Sequence, residues 1–181
     1  AWHPDGKRAR AEAWVDGAPH GAITAWHPRG GVAIEGAHER GARHGAWIER
    51  WPDGTLRLEA QYDHGALVGT WRRRRADGSI ETEASYAAGL RDGPYVERRA
   101  DGSAIVTGAF ARDRRDGVWI ETRADGAEVT RASYRDGVLD GPWRQRNTDG
   151  STVTGQHTAG WRAGTWTWAA ADGTVTASVT Y

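Results

Sequence analysis

The chain has no cysteine, which excludes a disulfide framework, a thiolate metal site and a thiol nucleophile. Methionine is also missing, even at position 1, and the first residues begin part-way through a repeat, so the sequence is expected to be a piece of a longer chain. No apolar run approaches the length of a transmembrane helix, and no secretory signal stands at the start. Neither sign of charge dominates. The 24 basic residues balance 24 acidic ones, against the basic excess of a general nucleic-acid binder, so no nucleic-acid partner is expected. Lysine is nearly absent: Lys7 stands alone beside 23 arginines, a bias read as genomic base composition. Aliphatic residues are sparse while tryptophan numbers 11, which points to a thin aromatic core laid out as a layer.

What is present is a repeat. Asp-Gly recurs at Asp5, Asp53, Asp77, Asp101, Asp125, Asp149 and Asp172, with Arg29-Gly30 in phase, at steps of 24 residues and a last step of 23. Fixed self-similarity of this length marks a repeat array. Asp-Gly between runs of β-formers signals a hairpin, and the reading adopted is a two-residue type I′ turn with Pro52 facing Thr55. That register sets a large residue against a small one in five consecutive copies: Ile23 against Gly36, Trp47 against Ala60, Trp71 against Ala84, Tyr95 against Gly108, and Trp119 against Ala132. Rings need small partners to lie flat across a ladder. The seventh copy, 141–163, is one residue short. There Trp143 falls opposite Gln156, and a bulge is expected in the second strand.

Alternation then gives two unlike faces. Trp47, Glu49, Trp51, Leu56, Leu58, Ala60 and Tyr62 line one, and Ile48, Arg50, Arg57, Glu59 and Gln61 the other. Gly-x-x-x-Gly loops, such as Gly65 to Gly69 and Gly89 to Gly93, reverse the chain at the opposite edge, with Asp113 in the first glycine's place before Gly117. The expectation is an all-β fold, an elongated array of antiparallel hairpins forming one single-layer meander of about 15 or 16 strands. Residues 1–181 make a single array of about seven repeats, the first truncated.

The pattern Gly69-x-Trp71-x5-Asp77-Gly78-x7-Tyr86-x2-Gly89-x3-Gly93 resembles the MORN repeat, in the bacterial variant found in proteins labelled YwqK-type antitoxins. The resemblance implies a β-hairpin stack that serves as a scaffold for protein partners. It also implies a bacterial source and leaves cytoplasm and cell envelope both open. His38 and His157 depart from it by filling an aromatic slot.

Candidate chemistry is thin. His20 and His44 share one loop position, and rungs roughly 10 Å apart cannot share an ion between them, so no metal is expected. His3 and His27 hold matching places before proline and are read as loop residues. A turn offering one Asp and one Gly lacks the oxygens of a calcium site. Arg72 to Arg75 alternate across the sheet, with Glu81 and Glu83 placed to pair with them. Glu97 and Glu121 stand a full hairpin apart, and periodicity already explains them, so no enzyme activity and no cofactor are expected. The aromatic face is the candidate partner site: Trp47, Trp51, Tyr62, Trp71, Tyr86, Tyr95, Phe110, Trp119, Tyr134, Trp143 and Trp166. A protein partner, or end-to-end self-association through open edge strands, is the leading reading. Glycan stacking on the rings and an antitoxin or immunity role are the alternatives.

Overall fold

The computed structural model describes all 181 residues, and its fifteen strands form one open antiparallel sheet in chain order. The chain clusters into two compact units, Ala1–Arg91 and Asp92–Tyr181. The first holds β1 (Arg10–Val15), β2 (Ala18–Trp26), β3 (Val32–Glu39), β4 (Ala42–Arg50), β5 (Leu56–Asp63), β6 (Ala66–Arg74) and β7 (Ile80–Ala87). The second holds most of β8 (Leu90–Arg98), then β9 (Ala104–Ala111), β10 (Arg114–Thr122), β11 (Glu128–Arg135), β12 (Val138–Arg146), β13 (Thr152–Thr158), β14 (Trp161–Ala169) and β15 (Val175–Thr180). No helix is long and apolar enough to cross a membrane. The hairpin meander read from the period is therefore the fold, and every large–small pair expected from it is in register.

The turns are not the expected ones. At Asp53-Gly54 the Trp51 N–H donates to the Thr55 carbonyl at 2.8 Å and the Gly54 N–H to the Trp51 carbonyl at 2.9 Å. Gly54 is left-handed (φ +91°) but Asp53 is not. This is the three-residue loop in which a right-handed turn is followed by a left-handed glycine, rather than a type I′ turn. Such a loop displaces the pairing by one residue. The strand that follows displaces it back. Glu49 faces Leu58 but Arg50 faces Leu56, which leaves Arg57 as a bulge. Ala33, Glu81, Ile105, Val129 and Thr176 are the equivalent extra residues. Leu56 consequently shares a face with Arg50, not with the aromatic ladder where the alternation had placed it. The short seventh copy inverts the expectation made for it. Its pairing runs without interruption from Arg146↔Thr152 to Gly141↔His157, and Trp143 faces Gly155. The residue it lacks is the bulge itself.

The type I′ geometry lies at the other edge. Asp16-Gly17, Arg40-Gly41, His64-Gly65, Ala88-Gly89, Arg112-Asp113, Asp136-Gly137 and Ala159-Gly160 are left-handed at both positions. Ala88 (φ +49°) and Ala159 (φ +50°) adopt there a conformation that costs an ordinary residue about 1–2 kcal/mol and that asparagine tolerates. Ala88→Asn and Ala159→Asn are each expected to raise stability by about 1 kcal/mol, read from urea midpoints.

The Asp of the three-residue loop has its own task. Asp53 Oδ1 accepts the Thr55 N–H at 2.9 Å and its hydroxyl at 2.7 Å, and Asp77, Asp101 and Asp149 do the same with Ser79, Ser103 and Ser151. The hydroxyl and then the backbone N–H hold these carboxyls below their ordinary value of 3.8. Asp172 is lowered likewise, the Thr174 N–H first and its hydroxyl second. Because each folded pKa lies below its unfolded one, the contribution is complete above about pH 4 and disappears as the pH falls through the lowered values. Urea unfolding between pH 5 and 2 should therefore show stability dropping below about pH 4, less steeply when Ser79, Ser103 and Ser151 are alanine.

Candidate interaction surface

The aromatic face is built from a small residue, a ring and whatever covers the ring. Trp47 and Trp119 face Ala60 and Ala132 across their own hairpins and Trp166 faces Val179, but all three lie down on a glycine of the hairpin before. A Cβ added to Gly36 would come within 2.3 Å of the Trp47 ring. The same distance separates a Gly108 Cβ from Trp119 and a Gly155 Cβ from Trp166. Over glycine the indole descends onto backbone and is buried: 3% exposed at Trp47, 4% at Trp119 and 1% at Trp166. Trp71 and Trp143, which follow Ala60 and Ala132 by one hairpin, stay half-buried, and so does Tyr95.

The depth of the ring decides what fits above it. Arg43, Arg115 and Arg162 each place the guanidinium carbon 4.3 Å from the centroid of the buried indole. Each also donates to a tyrosine hydroxyl, Arg43 to Tyr62 at 3.0 Å, Arg115 to Tyr134 at 3.2 Å and Arg162 to Tyr181 at 2.9 Å. A cation over an indole is worth about 0.5–2 kcal/mol, rising with desolvation. On the alanine rungs of Trp71 and Trp143, Leu67 and Leu139 take the arginine's place four residues before the ring. Glycine with arginine and alanine with leucine thus go together at these five tryptophan rungs, while Tyr95, which follows Ala84, has Arg91 at that position.

The remaining rings stand on edge and close the ladder. Phe110 meets Tyr95 and Trp119 at 5.4 and 4.9 Å with nearly perpendicular planes, while Tyr95 and Trp119 are stacked at 5.7 Å. Tyr62 stands on edge to Trp47 at 6.2 Å. His38 makes the same contact with Trp47, and His157 with Trp143 and Trp166, so both histidines serve as rings in the slot that looked like a departure from the repeat. Burial first, and Arg162 second, push the His157 pKa down, which favours the neutral ring.

Of the sequence-derived partner residues, then, Trp47, Phe110, Trp119 and Trp166 lie inside the layer. Trp51, Tyr62, Trp71, Tyr86, Tyr95, Tyr134 and Trp143 are half-buried. Trp51 lies beneath Arg57, whose guanidinium carbon is 5.1 Å from its centroid. The surface of this face is therefore guanidinium and phenol more than bare ring. Composition gave no hint of the most exposed aromatic, Trp161 (80% exposed), in the first position of β14.

In the arginine run Arg72 and Arg73 pair with the glutamates expected of them, while Arg74 turns to Glu59 and Arg75 donates to the Ile80 carbonyl. Arg72 meets Glu83, Arg73 meets Glu81 at 2.7 Å and Arg74 meets Glu59 at 2.9 Å. The residue before four of the three-residue loops has a use that sequence reading missed. His3 Nε2 lies 3.0 Å from the Trp26 carbonyl and His27 Nε2 3.0 Å from that of Arg50. Arg99 donates to the Thr122 carbonyl and Arg123 to that of Asn147 at 3.3 Å. These side chains tie one hairpin to the next where the loops leave backbone carbonyls open.

In comparisons with known proteins, no family model and no curated protein matches the chain.

Proposed function

We propose that the chain is a non-enzymatic, MORN-like repeat scaffold that holds a protein, or further copies of itself, against its aromatic face and terminal strands. The observation that carries this reading is the recurrence of one unit at three rungs. In each, an arginine lies over a buried indole and bonds to a tyrosine hydroxyl: Arg43/Trp47/Tyr62, Arg115/Trp119/Tyr134 and Arg162/Trp166/Tyr181. The indole and the phenol together hold each guanidinium in place, so it loses little freedom when a carboxylate or backbone carbonyl takes its unused N–H groups. Tyr and Arg are residues on which protein interfaces concentrate their energy. Glycan stacking needs an open ring face, and at these rungs glycine backbone closes one side and arginine the other. β15 adds a second surface, with exposed Val175, Val179 and Tyr181 beside a backbone that pairs with β14 on one side. Such a strand accepts another, whether from more of the same chain or from a second copy.

The test compares the wild type with the triple variant Arg43→Gln, Arg115→Gln, Arg162→Gln, in sedimentation velocity over a range of concentrations and in affinity capture from cells of the source organism. Self-association or a reproducibly retained protein, lost in the variant while its thermal unfolding is unchanged, supports the scaffold. Retention of polysaccharide by both proteins, without self-association or a protein partner, overturns it.

A further inference from the structure

Glu39 ends β3, His44 lies in β4, and His64 is the first residue of the type I′ turn after β5. The sequence pairs His44 with His20, one hairpin back. The fold instead sets it beside His64, with ring centroids 5.0 Å apart. Glu39 Oε2 lies 3.6 Å from His44 Nδ1 and 3.5 Å from His64 Nε2, and the three ligand-type atoms lie within 4.8 Å of one another. Around a tetrahedral zinc ion with bonds of about 2.0–2.1 Å, neighbouring ligand atoms are about 3.3–3.4 Å apart. Small rotations of these part-exposed side chains close the difference.

Two details turn the cluster from a set of neighbours into a coordination geometry. His44 Nδ1 is shielded from solvent, has no hydrogen-bond partner and lies 3.6 Å from both Glu39 Oε2 and Asp63 Oδ1, where its neutral tautomer protonated on Nε2 would offer a lone pair. His64 Nδ1 lies 2.7 Å from Asp63 Oδ1. A proton on that nitrogen leaves Nε2 as the acceptor, facing Glu39. A carboxylate behind a ligating imidazole fixes its tautomer and raises its basicity, as in established metal sites. The set is also particular to one rung. The equivalent positions in the next copy are Asp63, Val68 and Ala88, and in the copy before Val15, His20 and Arg40.

We infer that Glu39, His44 and His64 bind a divalent transition-metal ion, zinc by preference of donor type, with Asp63 orienting His64 and a coordination position open to solvent. Imidazole with one carboxylate suits zinc over the hard cations calcium and magnesium. The ion would clamp the β3–β4 turn to the β5–β6 turn. An open fourth position also suits a partner's own side chain as ligand.

The experiment is titration of tag-free protein with zinc chloride by calorimetry, and with cobalt(II), whose intense visible bands report tetrahedral coordination. One ion per chain is expected. His44→Ala, His64→Ala and Glu39→Ala should each weaken binding by about a hundredfold or more, and Asp63→Asn by about tenfold. His20→Ala and His38→Ala, outside the cluster, should leave it unchanged. Circular dichroism confirms that each variant is folded. Zinc affinity that is equal in the wild type and the His44→Ala/His64→Ala double variant overturns the site, as does cobalt binding without tetrahedral bands.

Discussion

Trp119→Ala is expected to cost about 3–5 kcal/mol, the range for emptying a buried aromatic site. Three losses coincide there. The indole is almost wholly buried, its Nε1 donates to the Ala109 carbonyl at 3.0 Å, and Arg115 rests on its upper face. The informative experiment is a double-mutant cycle with Gly108→Ala. Alone, that methyl would sit 2.3 Å from ring carbons of Trp119, and overpacking of this kind costs about 1–3 kcal/mol. In the Trp119→Ala background the ring is gone, so the same methyl should cost close to nothing. Urea denaturation followed by circular dichroism at all four corners measures the coupling. If the two effects simply add, the ring does not rest on Gly108, and the two-rung description of the aromatic face fails with it.

Removing Val153 should have a comparable effect, while removing Ile105 should be mild. Ile105 is the bulge of its copy, so its loss leaves the uninterrupted pairing that the seventh copy already uses. About 1 kcal/mol is expected from the altered strand. The seventh copy has no bulge to absorb a deletion. Without Val153, the residues between the Asp149-Gly150 loop and the deletion keep their pairing, and Gly155 and His157 move to the opposite face. Trp166 then loses the glycine beneath it and the histidine at its edge, a loss of about 3–5 kcal/mol. Returning one residue between Thr152 and Thr154 of the shortened chain should recover the loss. Equal tolerance of both deletions would show that strand register does not govern packing here.

The large–small pairs came out correctly although the turn assigned to them was wrong, and the reason is physical. A face is set by the parity of the residue count between two paired positions. A two-residue loop with a plain strand and a three-residue loop with a bulge give the same parity past the bulge. Trp47 therefore faces Ala60 on either description, while Leu56, which lies before the bulge, changes face. The seventh copy exposed the difference, because one residue fewer can be accommodated by omitting the bulge. The left-handed pairs were equally legible in hindsight. Asp16-Gly17 and Asp136-Gly137 are strong type I′ sequences, but Ala88-Gly89 and Ala159-Gly160 disguise the position.

The candidate partner surface was legible in part. Periodicity located the rings, but whether a ring is core or surface depends on the residue under it and the residue over it, and both come from neighbouring strands. Gly36 lies in one hairpin while the Trp47 it admits lies in the next. His44 and His64 illustrate the same limit. Counting rungs puts equivalent positions roughly 10 Å apart, yet these two are not equivalent. One is in a strand and the other in the adjoining turn, so their side chains meet at half that spacing.

The sequence by itself determined the period, the all-β hairpin meander and the pairing of large residues with small ones, because two-residue alternation and a fixed repeat leave little else that sets rings against small neighbours in a chain this poor in aliphatic residues. Only the tertiary structure decided which turns are left-handed, which rings sink beneath arginine, and which histidines converge. Those outcomes depend on separations of a few ångströms between adjacent strands, and such separations are set by backbone twist, bulges and the presence or absence of a single Cβ.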